Sequence, residues 1–113
     1  MAETQQQLTS IEKSIIEAQV LEVIKTCFDP EIPVNIFELG LIYDVKADDA
    51  GVVTVKMTLT SPSCPAAQSL PPEVAQKVKT VQGVTDAKVD VVWTPPWTPS
   101  LMSEAAKLEL GIS

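Results

Sequence analysis

Val53, Val55, Met57 and Leu59 alternate with Thr54, Lys56, Thr58 and Thr60. That period of two predicts a half-buried strand with one face on a core. Leu41 to Ala47 reads as a strand just upstream, and "ADDAG" turns the chain between them, so the two form an antiparallel hairpin. Ala87, Val89, Val91 and Trp93 alternate again and predict a third strand, with Trp93 ending it as a core residue. A helical period governs most of the rest. Ile16, Val20, Val23, Ile24 and Cys27 share one helix face. Thr9-x-x-Glu12 and Ser14-x-x-Glu17 both fit a capping box, which leaves the start of this helix open between them. Pro30 ends it at or just before Asp29. Asp29 to Leu39 then reads as an ordered loop, because Pro30 and Pro33 exclude a regular helix, while Ile32, Val34, Ile36 and Leu39 give it an apolar side to pack on the core.

After Cys64, the series Ala67, Leu70, Val74, Val78 and Val81 keeps helical register, with Gly83 at the left-handed position beyond it. Pro71 and Pro72 interrupt the series. A proline inside a helix costs about 3 kcal/mol or more, so the pattern predicts a first turn from Pro65 to Leu70 and then a kink or restart. "TPPWTP" is a stiff extended connection. Thr98 caps a last helix with Pro99 at its first position; Ser103 is where it can divide in two, and Gly111 ends it. The order helix-strand-strand-helix-strand-helix, with a three-stranded sheet apolar on one face, predicts a two-layer α+β domain, an α/β sandwich. The pattern leaves the pairing direction of the third strand open.

With 113 residues, one domain is expected, burying roughly two thirds of the surface its unfolded chain exposes. Residues 1–9 read as a disordered polar tail and 10–113 as the domain. The N-terminus lacks the basic and apolar runs of a signal peptide, and no segment reaches the roughly 18 apolar residues that span a bilayer, so a cytoplasmic protein is expected. A net charge of −7 argues against nucleic acid and against anionic membranes as partners. There are no histidines, which removes serine and cysteine hydrolase triads and imidazole zinc sites. Two cysteines, Cys27 and Cys64, cannot supply a four-thiolate site within one chain, and a reducing compartment disfavours a disulfide between them.

Cys64 stands in "LTSPSCPAAQSL", between two prolines. Pro65 at the first helical position makes Cys64 the N-cap residue, with its sulfur near unpaired backbone N–H groups and the positive end of the helix dipole. Such a place lowers a thiol pKa from about 8.5 and favours the thiolate, the form that binds iron, accepts sulfane sulfur or attacks a disulfide. Thr60, Ser61 and Ser63 bring hydroxyls near it. The plainer reading is a small residue at a tight turn. Asp29, Glu31 and Glu38 are carboxylates close enough in sequence to bind a metal or a partner's basic group, or to be turn and solvated surface residues. Cys27, on the apolar stripe, reads as a buried small hydrophobe. Trp97 is either a lid over the Cys64 turn or part of an association surface.

Three segments in order, "DPEIPVNIFELGLIYDV", "MTLTSPSCPAAQSLP" and "VVWTPPWTPSLMSEAAKLELG", resemble the SufT-like proteins, within the wider family of PaaD-type accessory proteins and the eukaryotic cytosolic iron–sulfur assembly component. The resemblance runs from about Ile16 to Gly111. It implies an iron–sulfur cluster assembly-type domain, working with the SUF system as a maturation factor and not as an enzyme. It puts the family's central cysteine on Cys64, its acidic turn on Asp29 and Glu31, and its tryptophan–proline segment on Trp93 to Trp97. Two positions depart from the family: Ser63 stands where glycine is frequent, and Cys27 where cysteine is unusual. The expectation is a factor that helps deliver clusters to client proteins, with Cys64 as a transient ligand for iron or a cluster and Asp29 or Glu31 in the same pocket. Clusters take about four cysteine ligands, so a homodimer, a carrier, scaffold or client protein, or an external thiol must complete the set. The rival readings are a thiol-exchange or persulfide-carrying protein, with Cys27 as a second thiol, and a pure adaptor that binds through Trp97.

Overall fold

A computed structural model describes residues 8–28, 34–60 and 66–111, with the side chains of 66–68 outside that description. The first helix, α1, spans Ser10–Ile24. Of the two capping boxes in the sequence, the first starts it: the Glu12 N–H donates to the Thr9 hydroxyl at 3.1 Å and the Thr9 N–H to the Glu12 carboxylate at 2.9 Å. Leu8 is already held, its N–H donating to the Asp49 carbonyl. The helix ends earlier than Pro30 requires. Lys25 caps it, and Thr26 and Cys27 continue in a turn.

Strands β1 (Ile42–Ala47) and β2 (Val52–Met57) form the expected antiparallel hairpin. Strand β3 (Asp86–Val91) lies parallel to β2, with Val53 opposite Ala87 and Met57 opposite Val91, so the sheet order is β1-β2-β3. Parallel neighbours need a crossover, and helix α2 (Ala66–Val78) supplies it. No restart occurs at Pro71 and Pro72; one helix runs through both. The buried stripe Leu70, Val74 and Val78 continues across them and holds the helix against the sheet. Its burial contributes roughly 1.5–3 kcal/mol per side chain, enough to offset the two withheld backbone donors.

Both long helices cover one face of the sheet, α1 against β1 and α2 against β3. Ile16, Val20 and Ile24 meet Val53, Val55 and Met57 there, all fully or nearly buried. The other face is solvated: Asp44, Lys46, Lys56, Asp86, Lys88 and Asp90 are all exposed, and the register sets Lys56 between Asp44 and Asp90. Among the described residues no helix is long and apolar enough to cross a membrane.

Beyond β3 the chain becomes a strap. It contains a 3-10 turn, Pro99–Leu101, and then α3, Glu104–Glu109, so the last helix does divide at Ser103, whose hydroxyl caps α3 by accepting from the Ala106 N–H. Thr98 makes no side-chain cap; its hydroxyl pairs instead with that of Ser100.

Candidate functional site

Because β2 and β3 are parallel, their C-terminal ends reach the same edge of the domain, beside the start of β1. Three chain segments therefore meet there: 34–41 entering β1, 58–60 leaving β2, and 92–103 leaving β3. Backbone bonds join them, with the Thr58 N–H donating to the Leu41 carbonyl and the Val92 N–H to the Met57 carbonyl, both at 2.8 Å. The end of α1 is stitched to the same place. The Ile36 N–H donates to the Cys27 carbonyl at 2.9 Å, and Phe28 forms an antiparallel bridge with Asn35. The described parts of the three sequence motifs thus sit together, although they are far apart along the chain.

The strap is tied over this junction. The Trp97 indole Nε1–H donates to the Leu39 carbonyl at 2.7 Å, and the Ser103 N–H to the Glu38 carbonyl at 2.9 Å. Tyr43 occupies a bulge in β1, where the register shifts between Ile42 and Asp44, and its hydroxyl reaches the Pro95 carbonyl at 2.8 Å. A bulge re-aims a side chain in this way. The Thr94–Pro95 peptide is cis. Gly40 has φ +81°, and a Cβ there would overlap the Leu101 backbone, lying 2.7 Å from its carbonyl carbon. Trp97 is half-buried against the core, its one polar atom engaged, so only its ring is left to meet a partner. Trp93 is not the core residue the alternation predicts: β3 ends at Val91, and Trp93 is 43% exposed.

Asp29, Glu31 and Cys64 lie outside the described residues, as do Pro30, Pro33, Ser61, Ser63 and Pro65. Their covalent neighbours are placed: Phe28 and Val34 on one side, Thr60 and Ala66 on the other. Among the described residues, no three acidic, cysteine or histidine side chains gather closely enough to hold a metal ion.

Cys27 is fully buried. Burial pushes its thiol pKa up, the negative charge of Glu73 adds to the rise, and Lys77 opposes it. Both charges come from α2, where Lys77 pairs with Glu73 and also donates to the Thr26 carbonyl and hydroxyl at 3.2 and 3.0 Å. The thiol is therefore held protonated, unlike an attacking thiolate. Thr58 is the residue that sequence reasoning missed. The alternation assigns it to the solvated face with Thr54 and Lys56, yet it is completely buried, because β2 has ended and the chain lies between Leu41 and Val92. Its Oγ1 has no hydrogen-bond partner among the described residues. An orphaned buried hydroxyl costs about 1–3 kcal/mol, which marks it as a group to explain.

Residues 17–91 match a family described as iron–sulfur cluster assembly protein. The chain is 48% identical over 95 residues to an Fe–S protein maturation auxiliary factor of Porphyromonas gingivalis, covering 84% of this chain and 90% of that one. It is 47% identical to the Fe–S protein maturation auxiliary factor SufT of Staphylococcus aureus, covering 75% and 97%. Its fold is similar to the crystal structure of a DUF59 domain from Bacillus anthracis, with a TM-score of 0.86 and 37% identity over 93% of this chain and 100% of that one. The two-layer fold, the junction at one end of its sheet and these likenesses agree, and the chain belongs to the iron–sulfur cluster assembly protein family.

Proposed function

We propose that this protein is a cytoplasmic, non-catalytic maturation factor that helps deliver iron–sulfur clusters to client proteins. The observation that carries this reading is the likeness, over most of both chains, to relatives named as Fe–S protein maturation auxiliary factors. The cluster is cargo, and Cys64 is its transient ligand, with Asp29 or Glu31 in the same pocket. The described chain supports this role in two ways: α2 is in place two residues after Cys64, and the buried Thr58 hydroxyl lies three residues before the segment that carries it. One chain has two cysteines and Cys27 is buried and protonated, so the remaining ligands come from a second copy, a carrier, a scaffold or a client. Trp97 offers its ring at the same junction.

Anaerobic reconstitution with ferrous iron and sulfide tests the proposal, read by visible absorption and iron content in parent protein and Cys64→Ser. Iron–sulfur absorption in the parent that disappears in Cys64→Ser, with oligomeric state or added thiol controlling occupancy, is the expected result. A cluster held as well by Cys64→Ser, or held tightly by a strict monomer without added thiol, overturns the ligand assignment.

A further inference from the structure

Beside the junction, between the end of α1 and α3, lies an open groove of about 340 Å³. Val34 and Ala106, both buried, form its floor, and Phe28 and Ala105 stand exposed beside them. Phe28 is 50% exposed, a large apolar group held in the open by its bridge to Asn35. The polar part of the lining is acidic, with Glu38 from the loop and Glu109 from α3. Neither carboxylate is paired with a lysine among the described residues, and no lysine or arginine lines the groove there.

We propose that this groove docks a segment of a partner protein that carries a lysine or arginine next to an aliphatic side chain. The aliphatic group packs on Phe28, Val34 and Ala105, and the cation sits between Glu38 and Glu109. The volume suits one or two side chains of a peptide, at the lower end of ligand pockets. Charge decides the class of occupant. A second copy of this chain, at net charge −7, would bring acidic surface to an acidic rim, and nucleic acid or an anionic membrane would be repelled in the same way. That the partner is an iron–sulfur protein rests on the function proposed above; the groove's preference for a basic, aliphatic segment does not.

The probe is a fluorescent peptide, acetyl-Ala-Leu-Lys-Ala-Leu-Lys-Ala amide, against the same peptide with both lysines replaced by glutamate, read by anisotropy and by amide NMR shifts. The lysine peptide is expected to shift Phe28, Asn35 and Ala105, and to lose about tenfold in affinity with Glu38→Gln/Glu109→Gln, as two partly exposed charge contacts would give. Phe28→Ser should weaken it comparably. A control, Glu22→Gln/Asp90→Asn, removes the same charge elsewhere and should change affinity less than about twofold, because distant exposed charges are screened. Equal binding of the glutamate peptide, an equal loss in the control, shifts elsewhere, or no binding of the lysine peptide each overturn the proposal. Cys64→Ser separates it from the maturation reading: peptide binding without Cys64-dependent iron binding sinks the ligand role alone, and the reverse sinks the groove alone.

Discussion

Gly40→Ala should unfold the junction from a single methyl group. Two separate costs apply. The backbone at Gly40 is left-handed, φ +81°, and an alanine there costs roughly 1–2 kcal/mol. The added Cβ also has no room, since Leu101 places its carbonyl carbon 2.7 Å and its Cβ 2.9 Å away. The loop and the strap must separate, and overpacking of this kind costs about 1–3 kcal/mol. The expected total is about 2–5 kcal/mol, or a fall in Tm on the order of 10–20 °C for a domain of this size. Gly111→Ala isolates the first cost, because Gly111 also has positive φ, +74°, but no atom lies within 4 Å of its Cβ position. It should lose no more than about 1–2 kcal/mol. Urea unfolding followed by far-UV circular dichroism measures both, with an unchanged slope required so that the midpoint reports stability. If Gly40→Ala costs no more than Gly111→Ala, the close approach of loop and strap contributes nothing and the reasoning fails.

Two further outcomes follow from the buried groups nearby. The Cys27 pKa is raised, chiefly by burial and then by Glu73, so the folded chain keeps this proton after the unfolded chain has lost it near pH 8.5. Its stabilising effect is complete below that pH and is lost as pH rises toward the folded value. Stability measured by urea titration should therefore fall less steeply above pH 8.5 in Cys27→Ala than in the parent, and equal slopes would show the thiol is not shielded. Thr58→Val removes a buried hydroxyl with no partner among the described residues, so stability should hold or rise by up to about 1 kcal/mol by thermal melting. A loss above about 1 kcal/mol would mean that the hydroxyl is bonded in the folded chain.

What the sequence made legible is what short-range periodicity encodes. Alternation from Val53 to Met57 found β2 and its buried face, Thr9 and Glu12 carried one of two possible starts of α1, and Ser103 marked the division before α3. The parallel pairing of β3 was open because direction is set by where the α2 crossover delivers the chain, which no local pattern states. Trp93 and Thr58 were misplaced for one reason: alternation was extended past strands that end at Val91 and Met57, where neighbouring segments decide burial. For the site, the motifs named Asp29, Glu31, Cys64 and Trp97, and the described flanks of those motifs converge. The bonds that hold the convergence, Trp97 to Leu39 and Tyr43 to Pro95, span 58 and 52 residues, so their signal is absent from any window of sequence.

The strap also depends on the rest of the fold for its anchors. Its acceptors, the carbonyls of Glu38 and Leu39, belong to a loop whose position depends on β1 pairing with β2 and on Cys27 receiving Ile36. The strap therefore docks onto a surface that does not exist until the sheet does. Because it follows β3, it is also the last part of the described domain to leave the ribosome during N-to-C synthesis. Its anchors on Glu38 and Leu39 are bonds for which a chain without the β1–β2 pairing has no preformed surface, so a closed strap reports a formed hairpin.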